Sequence, residues 1–236
     1  MLTRKNAKTI KGEKQGFLTS VLHLAPADLS GKNVCGFSSI GCKRACINKT
    51  GKGNFPIVQN ARIRKTNLYF SDRKLFLSGL YNSIGKTIFE WHTGKLYGLT
   101  PVFRLNATSD LPFETIKYQG KSMFDHFPEV QFYDYSKNPK RMFKYLNGDM
   151  PGNYHLTFSK SETNSRLCKK VLDQGGNVAI VFDILPTSYW GYPVVIGDNS
   201  DLRFLDGENV IVGLSAKGKA KNDTSGFTVR LKERVV

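Results

Sequence analysis

Apolar positions along the chain come in short blocks separated by polar stretches. Residues 17–25 are apolar, rich in strand formers and ended by Pro26 and Ser30-Gly31, which predicts a first strand. Residues 100–105, 130–135, 154–158, 177–184, 193–196 and 210–214 have the same character, that of short strands buried on both faces. Over residues 57–97 the period changes. Ile57, Val58, Ala61, Leu68, Leu75, Leu77, Leu80, Ile84 and Ile88 recur at roughly helical spacing, and Ser71-Asp72 is placed to cap a second helix within the stretch. Further helices are predicted over 114–127, 139–146 and 161–174, the last with Ser161 and Asn164 as caps and Gly175-Gly176 as its stop.

Strand and helix in alternation predict a parallel sheet. Seven strands with no linker between them predict a single-domain α/β protein that is TIM-barrel-like, a partial or closed β/α barrel, with a doubly wound open sheet as the alternative. The division is a basic N-terminal arm, 1–16, and one domain, 17–236, whose loop 31–55 is long enough to be functional. Nearly every strand runs into polar residues: Asn106, Thr108, Ser109 and Asp110; Asp134, Ser136 and Lys137; Ser159, Lys160 and Ser161; Asp183; Asp198 and Asp201; Ser215, Lys217 and Lys219. Each alone has an ordinary explanation as a turn or cap. Together they would share the C-terminal face of a parallel sheet, where sites are built.

Composition adds two constraints. With 40% apolar and 12% aromatic residues in 236, the chain can bury a core, and no apolar run reaches the roughly 18 residues of a membrane span. The basic start is not followed by an apolar signal region, so secretion is not expected. The 35 Lys and Arg against 19 Asp and Glu give a net charge of +16, a field that attracts nucleic acid or another polyanion, although a solvated lysine surface has the same composition.

Three of four cysteines fall within loop 31–55 as Cys35-x6-Cys42-x3-Cys46, close to Gly36, Gly41, Lys43 and Arg44. Thiolates so clustered suit a zinc ion or an iron-sulfur cluster. Zinc in a closed site needs a fourth ligand, Cys168 or a histidine such as His23. Three cysteines without a paired second half better match a [4Fe-4S] cluster with one iron open or held by another ligand. Buried unliganded thiols are the plain alternative, and the better reading of Cys168, which sits on a predicted helix among Leu167, Val171 and Leu172.

A three-cysteine loop after the first strand also resembles, in topology, the radical S-adenosylmethionine enzymes. The x6, x3 spacing departs from that superfamily's usual x3, x2, and no glycine-rich methionyl-binding motif is evident, so S-adenosylmethionine is not called for by these residues yet stays open. A resemblance spanning nearly the whole chain rests on LHLAPADLSGKNVCGFSSIGCKRACINKTGKG, VQNARIRKTNLYF, FRLNATSDLPFE, GYPVVIGDNSDLRFLD and VIVGLSAKGKAKNDTSGF. These strings resemble the bacteriophage Gene product 88 family. The resemblance implies a viral protein of the infected host's cytoplasm, with Cys35, Cys42 and Cys46 as cluster ligands and a host protein as a candidate partner.

Arg62, Lys65 and Thr66 fall on one helix face that could bind phosphate, shield a cluster's charge or simply face water. Asp110, Asp134, Asp183, Asp198 and Asp201 could hold Mg2+ in a nuclease. P-loop, HExxH and G-x-S-x-G motifs are absent. The expectation is therefore an iron-sulfur protein, with Arg104, Asn106, Asp110, Lys137 and Lys217 around the cluster, acting in redox or radical-type chemistry. A nucleic-acid or host-protein binding module with a structural metal, or a metal-dependent nuclease, is the alternative.

Overall fold

The computed structural model describes residues 1–4 and 9–231. The basic arm's Lys5 and Lys8, and residues 232–236 of the predicted domain, lie outside the described residues. Helix α1 (Thr9–Glu13) precedes strand β1 (Phe17–Val21), and helix α2 (Ile40–Arg44) lies within the cysteine loop. Helices α3 (Pro56–Ser71) and α4 (Arg73–His92) meet at Asp72, whose carboxylate accepts the Leu75 N–H at 2.9 Å as the N-cap of α4. The rest alternates: β2 (Thr100–Arg104), α5 (Met123–His126), β3 (Gln131–Ser136), α6 (Pro139–Leu146), β4 (Tyr154–Ser159), α7 (Ser165–Asp173) and β5 (Val178–Phe182). The short hairpin β6 (Ser188–Tyr189) and β7 (Tyr192–Ile196), then β8 (Ile211–Ser215) and β9 (Thr228–Val229), complete the described chain.

The sheet runs β1-β2-β3-β4-β5-β8-β7-β6, parallel except for the β6/β7 hairpin. Period-2 alternation sends Phe103, Phe132, Leu156, Ile180 and Ile211 to the side where the helices pack, onto Phe76, Leu80 and Ile84 of α4 among others. Val102 and Tyr133 face the other way, where Leu202, Phe17 and Phe204 pack on them. Beyond the Ser159–Ala179 pair the partnering of β5 with β4 ends, and β9 pairs with β5 at Val181 and Phe182.

The closed, TIM-barrel-like form does not hold. Among the described residues no ladder joins β1 to β7, because each edge already has another partner: Thr3 exchanges two backbone hydrogen bonds with Val21, at 2.8 and 2.9 Å, and β6 covers β7. Residues 202–205 pack on the sheet face opposite the helices. The helix predicted over 114–127 is also shorter than expected: Gln119 and Gly120 adopt positive φ in a tight Tyr118–Lys121 turn, leaving α5 as a single turn.

Candidate functional site

A cavity of about 290 Å³ opens at the C-terminal ends of the strands, and Cys35, Cys42 and Cys46 line it with Arg104, Tyr135, Ser159, Val181 and Leu214. Each cysteine has its own local support. Cys35 receives the Ala27 N–H at 3.3 Å, while its Sγ lies 3.5 Å from the Thr108 carbonyl in the loop that follows β2. Ala27 holds φ at +47°, an uncommon conformation for a residue with a Cβ, and in it the amide is turned toward the sulfur.

Cys42 sits in the first turn of α2, where Ser39 caps by accepting the Cys42 N–H at 3.1 Å. Glu162, just beyond β4, accepts the Ser39 hydroxyl at 2.5 Å and the Gly41 N–H at 2.6 Å. Gly41 has to be glycine: a Cβ there would overlap Ser225 Oγ and stand 2.8 Å from Phe227 Cβ. Helix α2 is thereby pressed into the corner between β4 and β9.

Cys46 accepts the Asn48 N–H. Buried Asn48 in turn is held by α3, donating to Gln59 Oε1 at 2.9 Å and accepting Gln59 Nε2 on its carbonyl at 3.0 Å. Arg62 donates to Asn48 Oδ1, and its guanidinium is close enough to Cys46 for each to act on the other's charge. Thr66 is fully buried and accepts the Ala25 N–H at 2.8 Å, and Lys65 donates to the Met1 carbonyl at 3.3 Å. Arg62 therefore braces the cysteine loop through Asn48, while Lys65 and Thr66 tie α3 to Met1 and Ala25; the reading of these three as a solvated face is corrected.

Burial pushes the Cys35 thiol up to about 12, helped by the neighbouring Cys42 and Cys46 and opposed by the Ala27 N–H. Burial raises Cys46 too, against its own N–H donor. Without metal these two are protonated at neutral pH, and a metal that takes the sulfurs must release the protons. Cys168 is elsewhere, buried in the core on α7 with Val171 and Leu172, its thiol donating to Asn164 Oδ1 at 3.4 Å. Among the described residues, no group of three or more His, Cys, Asp or Glu is arranged to hold a metal ion.

The predicted surrounding residues divide by role. Arg104, Asn106, Asp110, Lys137 and Lys217 all line the cavity. Asn106 is consumed by structure: its amide donates to Leu111 O at 2.9 Å and Asp134 at 3.2 Å, and its oxygen accepts Ser109 and Leu111 at 2.8 Å. Asp110 pairs with buried Arg141 at 2.6 Å and accepts Ser136 and the Lys137 N–H. Arg104 is neutralised by Asp201 at 2.9 Å and lies 4.7 Å over the Tyr135 ring; Lys217 is neutralised by Asp198. Among the described residues the Lys137 ammonium meets the Ser159 hydroxyl and, at 5.5 Å, the Phe227 ring.

The carboxylates proposed for Mg2+ are spent in the same way. Asp134 is fully buried behind Asn106, and burial lifts it to about 7 against the pull of Arg104 and the Asn106 N–H. Asp183 accepts the N–H groups of Ile184 and Leu231, and Asp198 and Asp201 pair with the cations already named. Glu162, Asn48, Gln59 and Ala27 were not among the residues singled out from sequence. Their partners lie 8 to 123 positions away, and only the glycine at 41 carried a local signal.

Fold and site define an α/β protein with a mostly parallel open sheet and a three-cysteine cavity at its C-terminal face. The chain belongs to the Gene product 88 family of bacteriophages, whose model matches residues 1–231. No curated protein and no solved structure matches it. Among the described residues, no helix is long and apolar enough to cross a membrane.

Proposed function

We propose that the protein is an iron-sulfur protein in which Cys35, Cys42 and Cys46 hold a [4Fe-4S] cluster at the mouth of the cavity. The observation that carries this reading is the shared cavity wall: three thiols line one space, two of them receive backbone N–H bonds, and Arg62 stands beside Cys46. Such donors and cations stabilise thiolates and an anionic cluster. A single zinc ion requires every ligand to converge within about 2.3 Å of one point, whereas a cluster asks each thiolate to reach only its own iron. Three thiolates leave one iron open to a small ligand or to electron transfer. The chain's own residues set the surroundings: Ala27 and Asn48 donate to sulfur, Glu162 fixes α2, and the apolar wall of Val181 and Leu214 excludes water. Purification without oxygen, followed by iron, sulfide and zinc analysis, tests this. Iron and sulfide near four each per chain are expected, and stoichiometric zinc without iron would overturn it.

A second reading rests on the outer surface of the same loop. Phe37, Ile40 and Phe55 are exposed there, with Ile57 at the start of α3, among exposed Lys32, Arg44, Lys49 and Lys52. Interleaved apolar and cationic side chains suit a nucleic acid or an acidic host protein, with the metal then structural.

A further inference from the structure

We propose that the cavity binds a small organic carboxylate, seated on Lys137 and Ser159; the inference rests on reading this cavity as the functional site. Four charged side chains other than Lys137 bear on the lining. Arg104 has Asp201, Lys217 has Asp198, and Asp110 has Arg141, so these cancel in pairs. Lys137 does not cancel. Among the described residues its ammonium has no carboxylate within ion-pair distance; it donates to Ser159 Oγ at 2.5 Å and lies over the Phe227 ring.

Lys160, buried just beyond β4, does not add to this excess, because the Glu162 and Asp223 carboxylates act on it. Its ammonium donates to two carbonyls, Ser161 O and Gly226 O, each at 3.2 Å, and it is near enough to Lys137 for the two charges to repel. The Lys137 ammonium, which among the described residues has only a hydroxyl and a ring as partners, leaves a local positive charge inside a partly desolvated space, where a bound anion gains most.

Cys35 is held on the β1–β2 side, by Ala27 and Thr108, whereas Lys137 and Ser159 belong to the ends of β3 and β4. The donor set matches one carboxylate: the Lys137 ammonium supplies the charge, and Ser159 Oγ, which accepts from Lys137, retains its own proton to donate to the second oxygen. The remaining wall is apolar, with Ala179, Val181, Leu214, Ala220 and Phe227, and so fits a hydrocarbon or aromatic body.

The test is isothermal titration calorimetry on the full chain with benzoate, hexanoate, benzyl alcohol and phenyl phosphate, with iron determined on the same samples. Benzoate or hexanoate should bind, with benzyl alcohol at least tenfold weaker. Lys137→Met should lose about tenfold or more in affinity and Lys137→Arg only a few-fold. Ser159→Ala should lose a few-fold, and it serves as the measurement if Lys137→Met fails to fold. Absence of binding by both acids, wild-type affinity in both Lys137→Met and Ser159→Ala, or tighter binding of phenyl phosphate than of benzoate would overturn the proposal. Iron present without acid binding removes this inference alone; acid binding that depends on Lys137 in iron-free protein keeps it and removes the cluster.

Discussion

Glu162 holds Gly41 across 121 positions of sequence, through a 2.6 Å bond from the Gly41 N–H to its carboxylate. Burial raises this carboxyl, but the Ser39 hydroxyl and the Gly41 N–H outweigh it and leave the group below its usual range. Its contribution to stability is thus full above pH about 4.3 and lost as pH falls through the folded value. Glu162→Ala should cost about 1–3 kcal/mol in urea unfolding. It should also speed iron loss to a chelator, because α2 and Cys42 lose their anchor; unchanged chelation kinetics would detach Glu162 from the site.

The cysteines should separate into two groups. Replacing Cys35, Cys42 or Cys46 by Ala should remove bound iron and the brown colour, and destabilise a loop with little apolar content of its own. Cys168→Ala should keep the iron and cost at most a few kcal/mol of packing, read by thermal melting. Iron loss in the Cys168 variant would contradict its place in the core.

Stability should respond to acid through two histidines. His155 is half-buried, its Nε2 atom enclosed and without a hydrogen-bond partner among the described residues, and burial, with Arg203 nearby, lowers it to about 4. Burial, with Arg62, Lys65 and Arg104 around it, lowers His23 to about 3. Both fold neutral, so the unfolded chain binds more protons below pH about 6.5, and stability falls as pH drops from there toward 4 and 3. Asp134 opposes this: raised to about 7, it favours the folded state at low pH and loses that advantage as pH rises from about 4 to 7. His155→Leu should flatten the acid limb of the urea midpoint, and Asp134→Asn should steepen it.

Charge on the cysteine loop has its own test. If polyanions dock there, DNA binding measured by fluorescence anisotropy should weaken steeply with salt. The triple variant Arg44→Glu, Lys49→Glu, Lys52→Glu should then reduce the salt slope by about three. An unchanged slope would move the contact to another face.

Period and punctuation in the sequence located β1 to β5, β7 and β8, the break at Asp72 and the polar C-terminal face, because each depends on residues adjacent in the chain. Closure of the sheet was beyond that kind of reading. It depends on which partner reaches the edges first, and Thr3 and Tyr189 belong to pieces too short to show a period. The helix expected over 114–127 was a misread apolar spacing: Glu114 faces Arg141 in an ion pair at 2.8 Å, and Gly120 was the overlooked stop. In the site, the cysteines stood out by spacing, whereas Asn48 and Gln59 look like ordinary surface polar residues until α3 folds back on the loop.

Residues 202–205, which pack on Tyr133 of the strand that brings Tyr135 to the cavity, give this region an uneven compliance. The cavity's walls are strands tied by ladder hydrogen bonds, but this segment is a short helical turn that rests on Val102 and Tyr133 through Leu202 and Phe204. Widening the mouth would break ladders. Moving the segment requires that Phe204 slide against Tyr133 and that Arg203 give up its bond to the Ser200 carbonyl and its pair with Asp206. Backbone amides of 202–205 should then exchange with deuterium well before those of β3 and β4.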